Sequence, residues 1–553
     1  MKQNRSFALL IFGVIIILYA KTIGFDFSYM DDNQILLNNQ SAFESVDIKK
    51  MVTTDPFLLQ NNTFLYRPLQ SLSFLADTLI SGGVHPWMLH LTNIILFGLI
   101  GGLLFLILLK FNISRKVAFV GTLLFCVHPL FVTAVAWIPA RGDLLLTLLT
   151  MLATICLLEF TQTGKIKHLL FVWISFTFAL FCKETAVFLP IVLLVYLITM
   201  APNRKNFIPI VLLFLSMGLS MVVWFYIRTV YIPPIATISM SSFCSHLFTI
   251  PISFAKIILF PIDFSPLPTY TTTKIVVGCL FCVFLIYFVC KNNKRTHREI
   301  LFYFLWFLLF LIPNFLGEKL GVIDYIDNRF LLPMIGILLF VLSLFPPSST
   351  ESDPISFSVR KDGIWMGSVA LLCIVSLFKT EVYRNPESYY GTVLKQNPKN
   401  AVAYNNRGLV RFVQDDLSGA LEDFTQAIQY DKGHIRAYHN RGTLKFGLGD
   451  LKGAMEDLDM AILLDSTHFQ AYVDRAVTKG MMGNIYGAID DINIALSIQP
   501  NLKEAYFNRA IAYYTLREYE KAIQDIEKVL EIAPSNEDAI QLKNIILKEN
   551  EEK

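Results

Sequence analysis

Charge is scarce in this chain. Only 16% of its 553 residues are Asp, Glu, Lys or Arg, against about 25% in soluble globular proteins. That deficit excludes an ordinary soluble enzyme, a disordered chain, and a nucleic-acid binder with a general basic field. Histidine is sparse as well, nine in all. His85 and His90 stand five apart, not at the i,i+4 spacing of a helical metal pair, so no metal is expected. The eight cysteines (126, 156, 182, 244, 279, 282, 290 and 373) all fall in or beside apolar stretches, and none follows residue 373. They read as small lipid- or core-facing residues and carry no signal about redox compartment.

What is abundant is long apolar sequence, and it is unevenly placed. Residues 1–380 hold 27 Lys+Arg and 18 Asp+Glu, a net of +9, whereas residues 381–553 hold 20 and 26, a net of −6. The first part reads as a polytopic membrane domain and the second as a soluble one. About eleven spans are expected, near 7–24, 86–109, 116–137, 143–160, 167–182, 185–200, 207–228, 274–290, 299–316, 329–345 and 363–380. The apolar stretch 241–260 carries Ser241, Ser242, His246, Pro251 and Lys256, and it reads as re-entrant or interfacial. Lys/Arg bias in short loops assigns the ends near Lys2/Arg5, Lys110/Arg115/Lys116, Lys165/Lys167, Arg204/Lys205, Lys291–Arg298 and Arg360/Lys361 to the cytoplasm. The N-terminus is then cytoplasmic, and the long loop 25–85 and the C-terminal part lie in the periplasm or the lumen of the secretory pathway.

The soluble part repeats itself every 34 residues. Ala403-Tyr404, Ala437-Tyr438, Ala471-Tyr472 and Ala505-Tyr506 are in register. So are Arg407, Arg441, Arg475 and Arg509, and Asp423, Asp457, Asp491 and Asp525. This period, with small residues where helices would meet, is that of the tetratricopeptide repeat. Four repeats are expected over 401–536, after a linker and half-repeat at 381–400 and before a capping helix and tail at 537–553. The fold class is therefore all-α, a helical membrane domain followed by an α-solenoid. The arginine ladder either lines a groove for an acceptor or partner protein or pairs with the aspartate ladder on the helix surface.

Ionisable residues near membrane depth are functional candidates. Under the derived topology each outer turn carries one or more: Asp31-Asp32 and Arg67 in the loop 25–85, Arg141 and Asp143, Lys183 and Glu184, Arg228, Asp263, and the run Glu318 to Arg329. A carboxylate pair at the membrane surface suits proton removal from a hydroxyl nucleophile. Surrounding Arg and Lys suit a phosphate that leaves with negative charge. Together they describe glycosyl transfer from a polyprenyl-phosphate sugar on the outer face. Each group also has a plain reading: a solvated acidic pair, a charged turn, a local Lys183–Glu184 ion pair, capping histidines.

Particular strings add to this. Phe27-Ser28-Tyr29-Met30-Asp31-Asp32-Asn33, Tyr66-Arg67-Pro68-Leu69, His85-Pro86-Trp87 through Asn93, His128-Pro129 through Trp137 to Arg141-Gly142-Asp143, Lys183-Glu184-Thr185, and Asn328-Arg329-Phe330 occur in this order ahead of the repeats. The chain resembles the transmembrane-and-tetratricopeptide-repeat (TMTC) proteins and their bacterial relatives. It departs from them at Thr133, where an acidic residue is usual. The resemblance implies a GT-C-type glycosyltransferase using a polyprenyl-phosphate sugar, with mannose by analogy and a protein hydroxyl as acceptor. It places the catalytic acid pair on Asp31 and Asp32. Arg67, Arg141, Lys183 and Arg329 are then expected to bind the donor phosphate. Glu184, His85, His128 and Asp143 support them. Apart from the resemblance, Arg407, Arg441, Arg475 and Arg509 stay the candidates for an acceptor groove, beside their plain reading as partners of the aspartate ladder. The donor and the acceptor are substrates, and no cofactor or nucleic acid is expected. The alternative is a membrane-anchored repeat scaffold without catalysis.

Overall fold

The computed structural model describes residues 2–27, 35–53, 66–201, 207–231, 276, 278, 280, 297–312, 327–345, 359–534 and 536–551. Asp31, Asp32, Asp263, Glu318, Lys319, Asp324, the stretch 241–260 and nearly all of the span expected at 274–290 lie outside these residues. The chain divides into two compact units, Met1–Thr392 and Val393–Lys553. Among the described residues, regular structure is helical throughout.

Among the described residues of the first unit, five helices are long and apolar enough to cross a membrane: Asn4–Gly24, Pro86–Lys110, Ile138–Thr163, Phe207–Tyr231 and Asp362–Tyr383. Their length follows from the bilayer, about 20 apolar residues per crossing. Lys167–Cys182, Glu184–Thr199 and Pro333–Ser343 are apolar but shorter. The single span expected at 116–137 is instead a pair, Arg115–Cys126 and Pro129–Ala136, bent by 50°. Pro129 supplies the reason: it has no N–H to donate, and its ring drives the preceding residue out of the α region. His128 accordingly sits extended at φ −68°, ψ 127°.

The loop 25–85 is more structured than its sequence suggests. Helices Gln40–Glu44, Ile48–Thr53 and Pro68–Ser81 lie within it. Phe27, Leu36, Phe43, Met51, Phe74 and Leu75 form one buried cluster with Leu89 and Ile138. Close helix contact elsewhere depends on Gly336, where a Cβ would come within 2.6 Å of the Tyr303 carbonyl oxygen.

The bundle has two distinguishable ends. At one, Lys110 Nζ meets Glu159 Oε1 at 2.5 Å and Lys116 Nζ meets Asp362 Oδ2 at 2.7 Å. At the other, Lys21 pairs with Glu381 and the Asp26 amide donates to the Arg384 carbonyl at 3.2 Å. The chain after the last span thus returns to the first. Tyr383 is buried against Thr133, their hydroxyls 2.6 Å apart. For this reason the first unit extends past the expected boundary at 380 to Thr392.

The second unit is four antiparallel helix pairs: Ala401–Val413 with Leu417–Tyr430, Ile435–Gly447 with Leu451–Leu464, Phe469–Met481 with Ile485–Ile498, and Lys503–Thr515 with Tyr519–Ile532. Glu537–Glu551 follows as a further helix. Fully enclosed alanines at 420, 454 and 522, with Ala488 only 3% exposed, let each pair approach closely.

Candidate active site

Among the described residues of the first unit, Arg67, Arg141, Asp143, Lys183, Glu184 and Arg329 collect at the end where 137–143, 182–184 and 327–330 meet. Three polar groupings occupy it.

The first centres on Arg141, which opens the helix Arg141–Thr163 and has no exposed surface. Its Nε donates to Asn93 Oδ1 at 2.8 Å. Nη1 donates to Asp77 Oδ2 at 2.5 Å and to the Ser73 carbonyl at 3.3 Å. Nη2 donates to the Leu89 carbonyl at 2.6 Å. The guanidinium also lies 4.6 Å from the centre of the Phe74 ring. A cation so enclosed needs partners of this quality to offset its desolvation. Arg141 thereby locks the helix Pro68–Ser81 and the start of Pro86–Lys110 to the turn at 138–143. Arg141, expected at the donor phosphate, is thus enclosed by protein partners on every side. Gly142 serves the same junction: a Cβ there would lie 2.7 Å from Gln70 Oε1, while Gln70 Nε2 donates to the Pro139 carbonyl at 3.0 Å.

The second centres on Asp143. Lys183 Nζ donates to its Oδ1 at 2.5 Å, and Asn328 Nδ2 donates to its Oδ2 at 2.7 Å. One carboxylate thus joins three segments remote in sequence. Arg67 donates through Nε and Nη2 to Glu184 Oε2 at 3.3 and 3.1 Å. Glu184 therefore pairs with Arg67 rather than with its neighbour Lys183. Arg67 and Arg329 both lie within electrostatic reach of Lys183. Burial lowers the Lys183 ammonium to about 8; the Asp143 carboxylate opposes that fall, and the two guanidinium groups add to it. Three cations and two carboxylates therefore meet here, and Arg67, Arg329 and Glu184 are only half-buried.

The third is the pair Lys379 Nζ–Asp327 Oδ2 at 2.8 Å, with side chains 0% and 1% exposed. Lys379 closes an apolar helix and carries no sequence signal beyond being a charge at a span end. Asp77, too, is one acid in the apolar stretch 68–81, and nothing in its neighbourhood announces a partner 64 residues away.

The histidines divide. His85 is exposed just ahead of Pro86. His128 Nδ1 accepts the Leu130 amide at 3.2 Å and caps the turn after the break. His90 is 1% exposed and packs edge-on against Phe25.

In the second unit the arginine ladder is engaged within its own repeats. Arg407, Arg441, Arg475 and Arg509 each place Nε and Nη2 on both oxygens of Asp423, Asp457, Asp491 and Asp525, at 2.6 to 2.9 Å. The remaining nitrogen of Arg475 reaches back to Asp459 at 2.6 Å, and that of Arg509 to Asn493 at 2.6 Å. These bidentate clamps hold helix to helix and repeat to repeat. Pairing with the aspartate ladder, one of the two readings of these arginines, is thus present in every repeat.

Fold and site together define a polytopic helical membrane protein that carries a tetratricopeptide α-solenoid. Comparison with known proteins finds a likeness in each part. Residues 74–227 match the family described as dolichyl-phosphate-mannose-protein mannosyltransferase, and residues 435–468 and 504–536 match the tetratricopeptide repeat. Protein O-mannosyl-transferase TMTC4 of Mus musculus is 29% identical over 206 residues, covering 32% of this chain and 28% of the relative. Protein O-mannosyl-transferase Tmtc2 of Drosophila melanogaster is 29% identical over 197 residues, covering 34% and 21%. Protein O-mannosyl-transferase TMTC2 of Homo sapiens is 30% identical over 157 residues, covering 26% and 18%. The chain thus matches no more than 28% of the length of these relatives. Among solved structures, the crystal structure of MamA protein is 22% identical, covering 27% of this chain and 82% of that one, with a TM-score of 0.26.

Proposed function

We propose that this chain transfers a mannosyl group from a polyprenyl-phosphate donor to a protein hydroxyl on the non-cytosolic face of its membrane. The observation that carries the proposal is the meeting of Arg67, Lys183 and Arg329 around Asp143 and Glu184, at a junction built largely from the segment 74–227. Asp31 or Asp32 takes the proton of a Ser or Thr hydroxyl. The freed oxygen attacks the anomeric carbon, and the bond from that carbon to the phosphate oxygen breaks. The phosphate departs with the bonding pair, and its growing negative charge is stabilised by Arg67, Arg329 and Lys183. Asp143 holds Lys183, and Glu184 holds Arg67, in place for that contact. The apolar helices hold the polyprenyl tail, and the repeats recruit the acceptor protein.

The topology supports the choice of face. Lys110 and Lys116 gather at one end of the bundle and the site residues at the other, and the Lys/Arg bias assigns the first end to the cytoplasm. The test is glycoproteomic mass spectrometry of cells lacking the gene, complemented with wild type or with Asp31→Asn/Asp32→Asn. The proposal expects a set of hexose-modified Ser/Thr sites that wild type restores and the double variant does not. An unchanged glycoproteome, with partner capture by the repeats intact, sinks it in favour of the scaffold.

A further inference from the structure

The tripeptide Asp327-Asn328-Arg329 forms one 3-10 turn, Asp327–Phe330, ahead of Pro333. Its residues face three different ways. Asn328 donates to Asp143 Oδ2 at 2.7 Å. Asp327 Oδ2 accepts from Lys379 Nζ at 2.8 Å. Arg329 is half-buried and within electrostatic reach of Lys183. The Asp327–Lys379 pair stands out because neither side chain meets water. An enclosed ion pair is a poor stabiliser, since apolar residues of the same size commonly do as well. The residues that follow the tripeptide, Phe330, Leu331 and Leu332, are all buried, and His128 and Tyr383 lie within electrostatic reach of the pair. The geometry the pair defines is that of the turn that carries Asn328 and Arg329.

We propose that Asp327 and Lys379 are positioning residues: their ion pair fixes the 327–330 turn so that Asn328 completes the hold on Asp143 and Arg329 faces the phosphate of a polyprenyl-phosphate ligand. The inference rests on the reading of Arg329 as a phosphate-binding residue. Lys379 does not touch the ligand. It acts through the turn, from the last residues of the helix Val359–Thr380. The turn needs such a hold because its only regular structure is a single 3-10 helix, whose hydrogen bonds are poorer than those of an α-helix.

The test is a double-mutant cycle on the full-length protein in lipid nanodiscs, read by equilibrium binding of radiolabelled farnesyl phosphate. Arg329→Gln should weaken binding at least ten-fold. Lys379→Gln should do the same in the wild-type background and add less than two-fold in the Arg329→Gln background, because it works through that arginine. Multiplicative losses would mark a general structural role and overturn the proposal. So would wild-type binding by Lys379→Gln beside an impaired Arg329→Gln. Wild-type binding by Arg329→Gln fails the phosphate reading itself. If Lys379→Gln does not accumulate as folded protein, Lys379→Arg takes its place; it keeps the charge but not the fit, and the same non-additivity is expected.

Discussion

Arg141 Nη1 lies 2.5 Å from Asp77 Oδ2, with the two side chains 0% and 5% exposed. The pair joins the helix Pro68–Ser81, inside what reads as a loop, to the start of Arg141–Thr163. Removing one partner of such a pair leaves an uncompensated buried charge, which costs roughly 3–5 kcal/mol. Arg141→Gln and Asp77→Asn should therefore lower the melting temperature of the detergent-solubilised protein and its yield. Arg141→Lys should fare little better, because one ammonium cannot reach Asn93, Asp77 and the Leu89 carbonyl together. A stable, fully active Arg141→Lys would show that the fork is dispensable.

Arg67 differs in kind. It is half-buried and holds Glu184 through one oxygen, Oε2. Arg67→Gln should leave the protein folded and reduce transfer by about 10²-fold, the scale set by loss of one charge-stabilising donor. Thermal stability and donor-dependent transfer measured on the same preparation check this. A loss of stability that accounts for the whole loss of activity would count against a phosphate role.

Gly142 is a packing position. Gly142→Ala places its Cβ against Gln70 Oε1, and overpacking of this kind typically costs about 1–3 kcal/mol. Gln70→Ala should relieve the clash, so the double variant is expected to melt above Gly142→Ala alone. Equal melting of the two would show that the neighbours absorb the methyl group.

In the repeats, Arg475→Gln strands Asp491, whose side chain is 3% exposed, with only Lys479 left at 2.7 Å. A loss toward the lower end of about 3–5 kcal/mol is expected, seen as earlier proteolysis within 393–553. Arg475→Lys should recover part of it. Undiminished protease resistance in Arg475→Gln would mean that Lys479 suffices.

Acid should weaken the same unit. Burial, reinforced by neighbouring His439, lowers His468 to about 4, against 6.5 when unfolded. Its neutral form is the one the fold accepts, so its contribution is complete above pH 6.5 and is lost as pH falls toward 4. Asp474 acts in the same direction lower down: burial works against it, but the bonds from His439 and Thr443 hold its carboxyl below the ordinary value. His468→Asn should flatten the stability profile between pH 6.5 and 4. An unchanged slope would assign it elsewhere.

The repeats were legible because their information is local and repeated. A 34-residue period with alanine where helices cross implies the fold, and the period reaches even the turns. Asp415, Gly449, Gly483 and Arg517 all have positive φ, at 65°, 82°, 84° and 62°, so the register sets the conformation whichever residue stands there. The long helices were legible for a related reason, since the bilayer imposes a length and apolarity that a sequence displays directly. The candidate basic residues could be named from charge at span ends, but not sorted. Arg67 and Arg141 look alike in the sequence, and so do Lys183 and Lys379. Their roles depend on Asp77, Asn93, Asn328 and Asp327, which are single polar residues far away along the chain with no periodicity to betray them. Enclosure decides which cation is structural, and enclosure is a property of packing between helices rather than of any one segment. Composition and period therefore determined that this is a helical membrane protein bearing a repeat array. Only the tertiary contacts decided which of its charges are committed to holding it together, because a buried charge is defined by the partner that offsets its desolvation.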